Sequence, residues 1–182
     1  MQNIIKADLY RIVPKPYSFF VLLNGLRNKG FRYMFLLRNV SSAKNIFSKI
    51  FFRLLMRHYT YKYGYQIPYN THIGRGFYIG HMGSIVINEK AVIGENCNIT
   101  HGVTIGVANR GKLKGTPTLG DFVWIGTNAV IVGNITIGSH VLIAPGSFVN
   151  FDVPSYSMVI GNPGKIIAKE NPTDGYINNI SE

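Results

Sequence analysis

A chain of 182 residues with 46% hydrophobic and only 15% charged residues has the length and composition to bury a core, in one main domain with an appendage. Its single cysteine, Cys97, excludes an internal disulfide framework and suits a reducing cytosol. No stretch approaches the roughly 18–20 uninterrupted apolar residues of a membrane-spanning helix, and Asp8 and Arg11 interrupt any signal-peptide order at the start, so a soluble, cytoplasmic protein is expected.

The net charge of +11 is unevenly placed. Residues 1–66 hold twelve lysines and arginines against one acid, Asp8, whereas residues 67–182 hold seven basic and seven acidic residues. This charge step marks a boundary and puts the anion-attracting surface on the N-terminal part. Residues 1–66 read as helical, through FVLLNGLRNKG (20–30), FRYMFLLRNV (31–40) and AKNIFSKIFFRLLMRHY (43–59), with breaks at Gly30 and Ser41–Ser42. In the last segment Ile46, Ile50 and Leu54 recur at helical spacing, with Lys49, Arg53 and Arg57 between them. Such a region caps the end of whatever follows. Its basic face also suits peripheral contact with an anionic membrane, at its inner face, or with an acidic polysaccharide. No nucleic-acid-binding motif accompanies the charge.

From residue 67 to about 168 the pattern changes to a period of six. An aliphatic residue recurs at Ile67, Ile73, Ile79 and Ile85, restarts at Ile87, Ile93, Ile99 and Ile105, and continues through Leu119, Ile125, Ile131, Ile137, Ile143 and Val149. Four positions later come small or β-branched residues, among them Ala91, Cys97, Val103, Val123, Ala129, Val141 and Ser147. Neither a helical nor a simple strand period gives this spacing. A short strand and a turn every six residues do, with three sides closing one coil of a prism and the inward residues stacked in ladders. Cys97 falls at an inward position and is expected to be a packed thiol.

Residues 106–118 (GVANRGKLKGTPT) interrupt the period and should leave the coil as an arm bearing Arg110, Lys112 and Lys114. Residues 169–182 are polar and turn-rich, and a loosely ordered tail is expected there. His81 and His101 are each third in their unit, and the units between them make one coil, so they should stand one above the other about 5 Å apart. Asp121, third after Leu119, is expected to extend that column one coil further.

The stretches IGRGFYIGHMGSIVINEKAVIG (73–94), NCNITHGVTIG (96–106), IGTNAVIVGNITIG (125–138) and VIGNPGKII (159–167) resemble the hexapeptide-repeat acyltransferases, in their serine acetyltransferase branch. The resemblance implies a left-handed parallel β-helix, a homotrimer with sites between subunits, and acetyl-CoA as cosubstrate; no metal is expected, because the close-spaced histidine pair of the zinc β-helix enzymes is not found. It makes His81 the general base, and the place of His101 in the same column gives it a catalytic or substrate-positioning role. It sets the pantetheine against Gly106, Val107, Thr127 and Pro145, with Lys165 and Lys169 meeting the phosphates. A neutral imidazole suits removal of a hydroxyl proton as that oxygen attacks a thioester.

Four positions depart from that branch. Gly80 stands where an aspartate precedes the catalytic histidine, and Gln66 where a second aspartate orients the ring. Gly115–Thr116 replace the loop histidine and arginine that hold serine's carboxylate. Gln66, Asp121 and Arg110 are then the expected substrate contacts. These departures look like those of the colanic-acid-type polysaccharide O-acetyltransferases, so the expected acceptor is a sugar hydroxyl. The alternatives are a serine or other small-molecule acetyltransferase, and a solenoid acting only as a binding or scaffold module.

Overall fold

The computed structural model describes residues 2–181. Four helices come first: α1 (Gln2–Tyr10), α2 (Phe19–Gly25), α3 (Lys29–Ser42) and α4 (Ile46–Tyr63). Each break has a local cause. Ser18, Asn28 and Asn45 cap the starts of α2, α3 and α4 by accepting from backbone amides, and Gly64 closes α4 in the left-handed conformation. Gly30 is therefore no break. It lies in the first turn of α3, where a Cβ would sit 2.3 Å from the Ile79 carbonyl oxygen, and the absence of a side chain is what lets α3 lie against the strands.

The rest is a left-handed parallel β-helix of about five turns, in three parallel faces. The first face stacks β1 (Tyr65–Gln66), β4 (Ile85–Ile87), β7 (Thr104–Gly106), β10 (Val130–Val132) and β13 (Phe148–Val149). The second stacks β2 (His72–Ile73), β5 (Val92–Ile93), β8 (Thr118–Leu119) and β11 (Thr136–Ile137). The third stacks β3 (Tyr78–Ile79), β6 (Asn98–Ile99), β9 (Trp124–Ile125), β12 (Val141–Ile143) and β14 (Ser157–Ile160), and ends in β15 (Lys165–Ala168), which pairs antiparallel with β14.

The six-residue ladder is the core. Every aliphatic position named above is buried, as are the small positions Ala91, Cys97, Val103, Val123, Ala129, Val141 and Ser147. Stacked isoleucines repeat the same contact on each coil, and each fully buried side chain contributes roughly 1.5–3 kcal/mol. Gln66, Val92 and Thr118, which alternate with inward residues, face out.

The helical region closes the first coil through buried polar contacts as well as apolar ones. Arg38 pairs with Asp8 at 3.0 Å and donates to the Ile73 and Gly74 carbonyls, while Asp8 accepts from the Phe77 amide. Burial pushes the Asp8 carboxyl above its ordinary pKa, and Arg38 and the amide only partly oppose this. The single acid of the basic segment is thus spent inside the fold.

The C-terminal segment differs from its expectation. Arg11 donates to the carbonyls of Asn178 and Gly76 and to the Asn98 side chain, and Asn98 donates to the Tyr176 carbonyl. Pro172, Thr173 and Ile177 are buried, and Tyr176 packs on Trp124. Polar, turn-rich residues 171–179 are held here chiefly through main-chain carbonyls, which composition does not reveal.

Candidate active site

The third face places the candidate residues. Its register pairs Ile79 with Ile99, Ile99 with Ile125, Ile125 with Ile143, and Ile143 with Val159. The residue two beyond each therefore stands at one corner of successive coils, giving a column His81–His101–Thr127–Pro145–Gly161. Main-chain bonds run along it, from the Asn128 amide to His101 and from the Gly146 amide to Thr127. At about 4.8 Å per coil, the column from His81 to Gly161 spans about 19 Å. Lys165, paired in register with Ile160, is exposed at its far end.

Asp121 is not in this column, and that expectation is corrected. Ile99, Ile105 and Leu119 lie on the third, first and second faces in turn, so Leu119 stands two sides past Ile99 and not the three that would bring Asp121 into the column. The insertion at 106–118 lies between β7 and β8 and adds no side. Asp121 follows β8 on the second face, above Arg75 and Glu95. There its carboxylate accepts from the Glu95 amide at 2.7 Å, and Arg75 pairs with Glu95. It is a corner brace. Thr127 takes the place expected for Asp121, and its hydroxyl meets that of Thr100.

At the foot of the column the rings of His81 and His101 lie 5.8 Å apart, with their planes at 89°. His81 is exposed and His101 partly buried. The Nδ1 of His101 is buried with no hydrogen-bond partner among the described residues, a group that a ligand or water must satisfy or that stays costly. The Tyr65 hydroxyl donates to the His81 carbonyl at 3.1 Å, fixing the main chain that carries the ring. Both histidines open into a cavity of about 580 Å³, lined also by Tyr65, Gly80, Met82 and residues 27–30 at the start of α3.

Other expected site residues lie elsewhere in the single chain. Gln66 and Val107 share a wider cavity of about 1060 Å³ beneath α4 with Arg53, Arg57 and Tyr69. Gly106 ends β7 beside Val132. Arg110 is exposed on the arm, which is a hairpin closed by reciprocal main-chain bonds between Ala108 and Gly115. Lys169 lies at the other end of β15 from Lys165, with its amide on the Tyr156 carbonyl. His140 stacks between Phe122 and Tyr156 and is structural. Burial raises the Cys97 thiol to about 12, so it is no nucleophile. Among the described residues no three metal-ligating side chains cluster.

Sequence reasoning missed Arg27, Lys29 and Tyr65. Tyr65 was within reach, because it precedes Ile85 by the same twenty residues that separate His81 from His101. The other two come to the site only through the docking of α3.

The fold and the repeat define a hexapeptide-repeat transferase, and a family model described as "Bacterial transferase hexapeptide (six repeats)" matches residues 116–150. A serine acetyltransferase of Neisseria gonorrhoeae, solved in complex with serine, superposes with a TM-score of 0.73 at 34% identity, over 90% of this chain and 68% of that one. That of Brucella abortus, solved with coenzyme A, gives a TM-score of 0.76 at 28% identity over 92% of this chain and 68% of that one. Serine acetyltransferase 4 of Arabidopsis thaliana is 43% identical over 105 residues, 58% of this chain and 30% of that protein. The enzyme of Bacillus subtilis is 40% identical over 106 residues, 58% of this chain and 49% of that protein. The chain belongs to the hexapeptide-repeat acyltransferases. It spans between about a third and a half of the length of these two curated relatives.

These findings overturn the expected sugar acceptor and the expected closeness to polysaccharide O-acetyltransferases, because the relatives and structural neighbours are serine acetyltransferases. Gly115 and Thr116 carry no charge on the loop where the resembling branch holds a histidine and an arginine. The cavity at His81 is lined by two other cations, Arg27 and Lys29.

Proposed function

We propose that this chain transfers the acetyl group of acetyl-CoA to the hydroxyl of a small acceptor of the serine class. His81 and His101 at the foot of a column running to Lys165 carry the reading, in a fold similar to serine acetyltransferases solved with serine and with coenzyme A. The acceptor oxygen attacks the thioester carbonyl while the His81 imidazole takes its proton. The carbon–sulfur bond then breaks, and the thiolate leaves and is protonated by the imidazolium. A thiolate is an adequate leaving group, so no covalent enzyme intermediate is needed. His101 supports the His81 ring, and Thr127 and Pro145 offer the next steps of the column to the pantetheine, with Lys165 beside the phosphates. The active assembly in this proposal is a homotrimer with the groove between subunits.

Mass detection of O-acetylated product, from acetyl-CoA with L-serine beside other hydroxy amino acids, tests the reading. Acetylated serine supports it. A protein that binds no acetyl-CoA, and for which His81→Ala changes nothing, would be a binding module instead.

A second element of the proposal concerns α4. Its residues Ile46, Phe47, Ile50, Phe51 and Leu54 are exposed in one stripe, with Lys49, Arg53 and Arg57 alongside. This is the pattern of a helix that rests on an anionic lipid surface, and no helix among the described residues is long and apolar enough to cross a membrane. Flotation with anionic vesicles, compared with neutral ones, decides it.

A further inference from the structure

The cavity that holds His81 and His101 has a marked charge imbalance. Arg27 and Lys29 line it, and no aspartate or glutamate does. Both basic side chains are exposed. The two ion pairs of the described residues, Arg38–Asp8 and Arg75–Glu95, use neither of them. Two unneutralised cations on one wall repel each other and favour an anion between them. The start of α3, whose residues Asn28, Lys29 and Gly30 form the same wall, adds its partial positive charge.

The position of this wall separates two candidate anions. The column Thr127–Pro145–Gly161 runs from the histidines toward Lys165, and this is the proposed path of the cofactor. The wall of α3 lies at the opposite end, where Gly30 abuts the Ile79 carbonyl of the first coil. An anion held by Arg27 and Lys29 therefore belongs to the acceptor and not to the phosphates of the cofactor. His101 lines this cavity as well.

We infer that Arg27 and Lys29 form the carboxylate grip of the acceptor site, in place of a grip on the loop at Gly115–Thr116. This rests on the acetyl-transfer reading above and deepens it. The acceptor is a hydroxy acid or hydroxy amino acid whose carboxylate faces α3 while its hydroxyl faces His81. An acceptor lacking that negative charge loses the charge-assisted hydrogen bonds and binds weakly.

The test compares L-serine with L-serinamide, which keeps the hydroxyl and loses the carboxylate, in the full chain and in the Arg27→Gln/Lys29→Gln variant. The wild type should favour serine by about tenfold to a hundredfold in kcat/KM. The variant should lose that preference through a raised KM for serine, with kcat and the KM for acetyl-CoA within about twofold of the wild type. Equal use of both acceptors by the wild type, or a variant that keeps the preference, overturns the grip and leaves the acetyl-transfer reading standing. A raised KM for acetyl-CoA with an unchanged KM for serine assigns the pair to the cofactor and also overturns it. If neither acceptor is acetylated and calorimetry shows no serine binding to the wild type, both readings fall together.

Discussion

The rings of His81 and His101 meet edge to face, 5.8 Å between centroids, because an offset of twenty residues is one coil of the solenoid here. The contact leaves His101 as the inner partner and His81 as the exposed one. Replacement of His101 by alanine should remove the support of the His81 ring. Steady-state kinetics should show kcat/KM reduced about tenfold to a hundredfold, a smaller loss than at His81. A wild-type value would show that the pair is structural.

Gly83 guards the same contact. Its φ is +139°, and a Cβ there would lie 2.9 Å from the His101 Cβ. The Gly83→Ala variant must strain its backbone and push the His101 ring, so it should lose about 1–3 kcal/mol of stability in urea titration together with activity at a level near that of His101→Ala. Stability and activity both unchanged would contradict the placement.

Arg38 holds Asp8 against the first coil. The Arg38→Met variant leaves that carboxylate buried with less opposing charge, at a cost of about 3–5 kcal/mol near neutral pH. Its folded-state pKa, raised already, rises further. The native variant then binds the proton more tightly than the unfolded chain, so its stability is highest in acid and falls as pH rises through the folded-state value. Urea midpoints at pH 5 and pH 8 should therefore show the larger deficit at pH 8. An equal deficit at both would mean that Asp8 is not the group left behind.

Cys97 is a packed ladder residue with a thiol raised to about 12. A thiol reagent at pH 8 should leave the native protein untouched and modify one equivalent after unfolding in guanidinium, and Cys97→Ala should retain its turnover number. Rapid native modification would place the thiol at the surface.

Much of this was legible in the sequence because a solenoid is nearly one-dimensional: a residue's place follows from counting. Ile79, Ile99 and Ile125 announce their face, and His81 and His101 announce their corner. Counting failed at Asp121, because Leu119, past the insertion, stands only two sides beyond Ile99, and Thr127 takes the expected place. It also failed for contacts that are not periodic. Arg27 and Lys29 reach the cavity only because Gly30 lets α3 approach Ile79, and residues 171–179 are fastened by Arg11 and Asn98 through main-chain carbonyls that no side-chain pattern records.

The most direct test of the account is the rate of CoA release from acetyl-CoA with L-serine as acceptor, for the wild type and for His81→Ala. The wild type should release CoA, and the variant should lose about 10²–10⁴-fold of that rate with thermal unfolding and acetyl-CoA binding unchanged. A His81→Ala protein that releases CoA at the wild-type rate would contradict the role of His81 as the base.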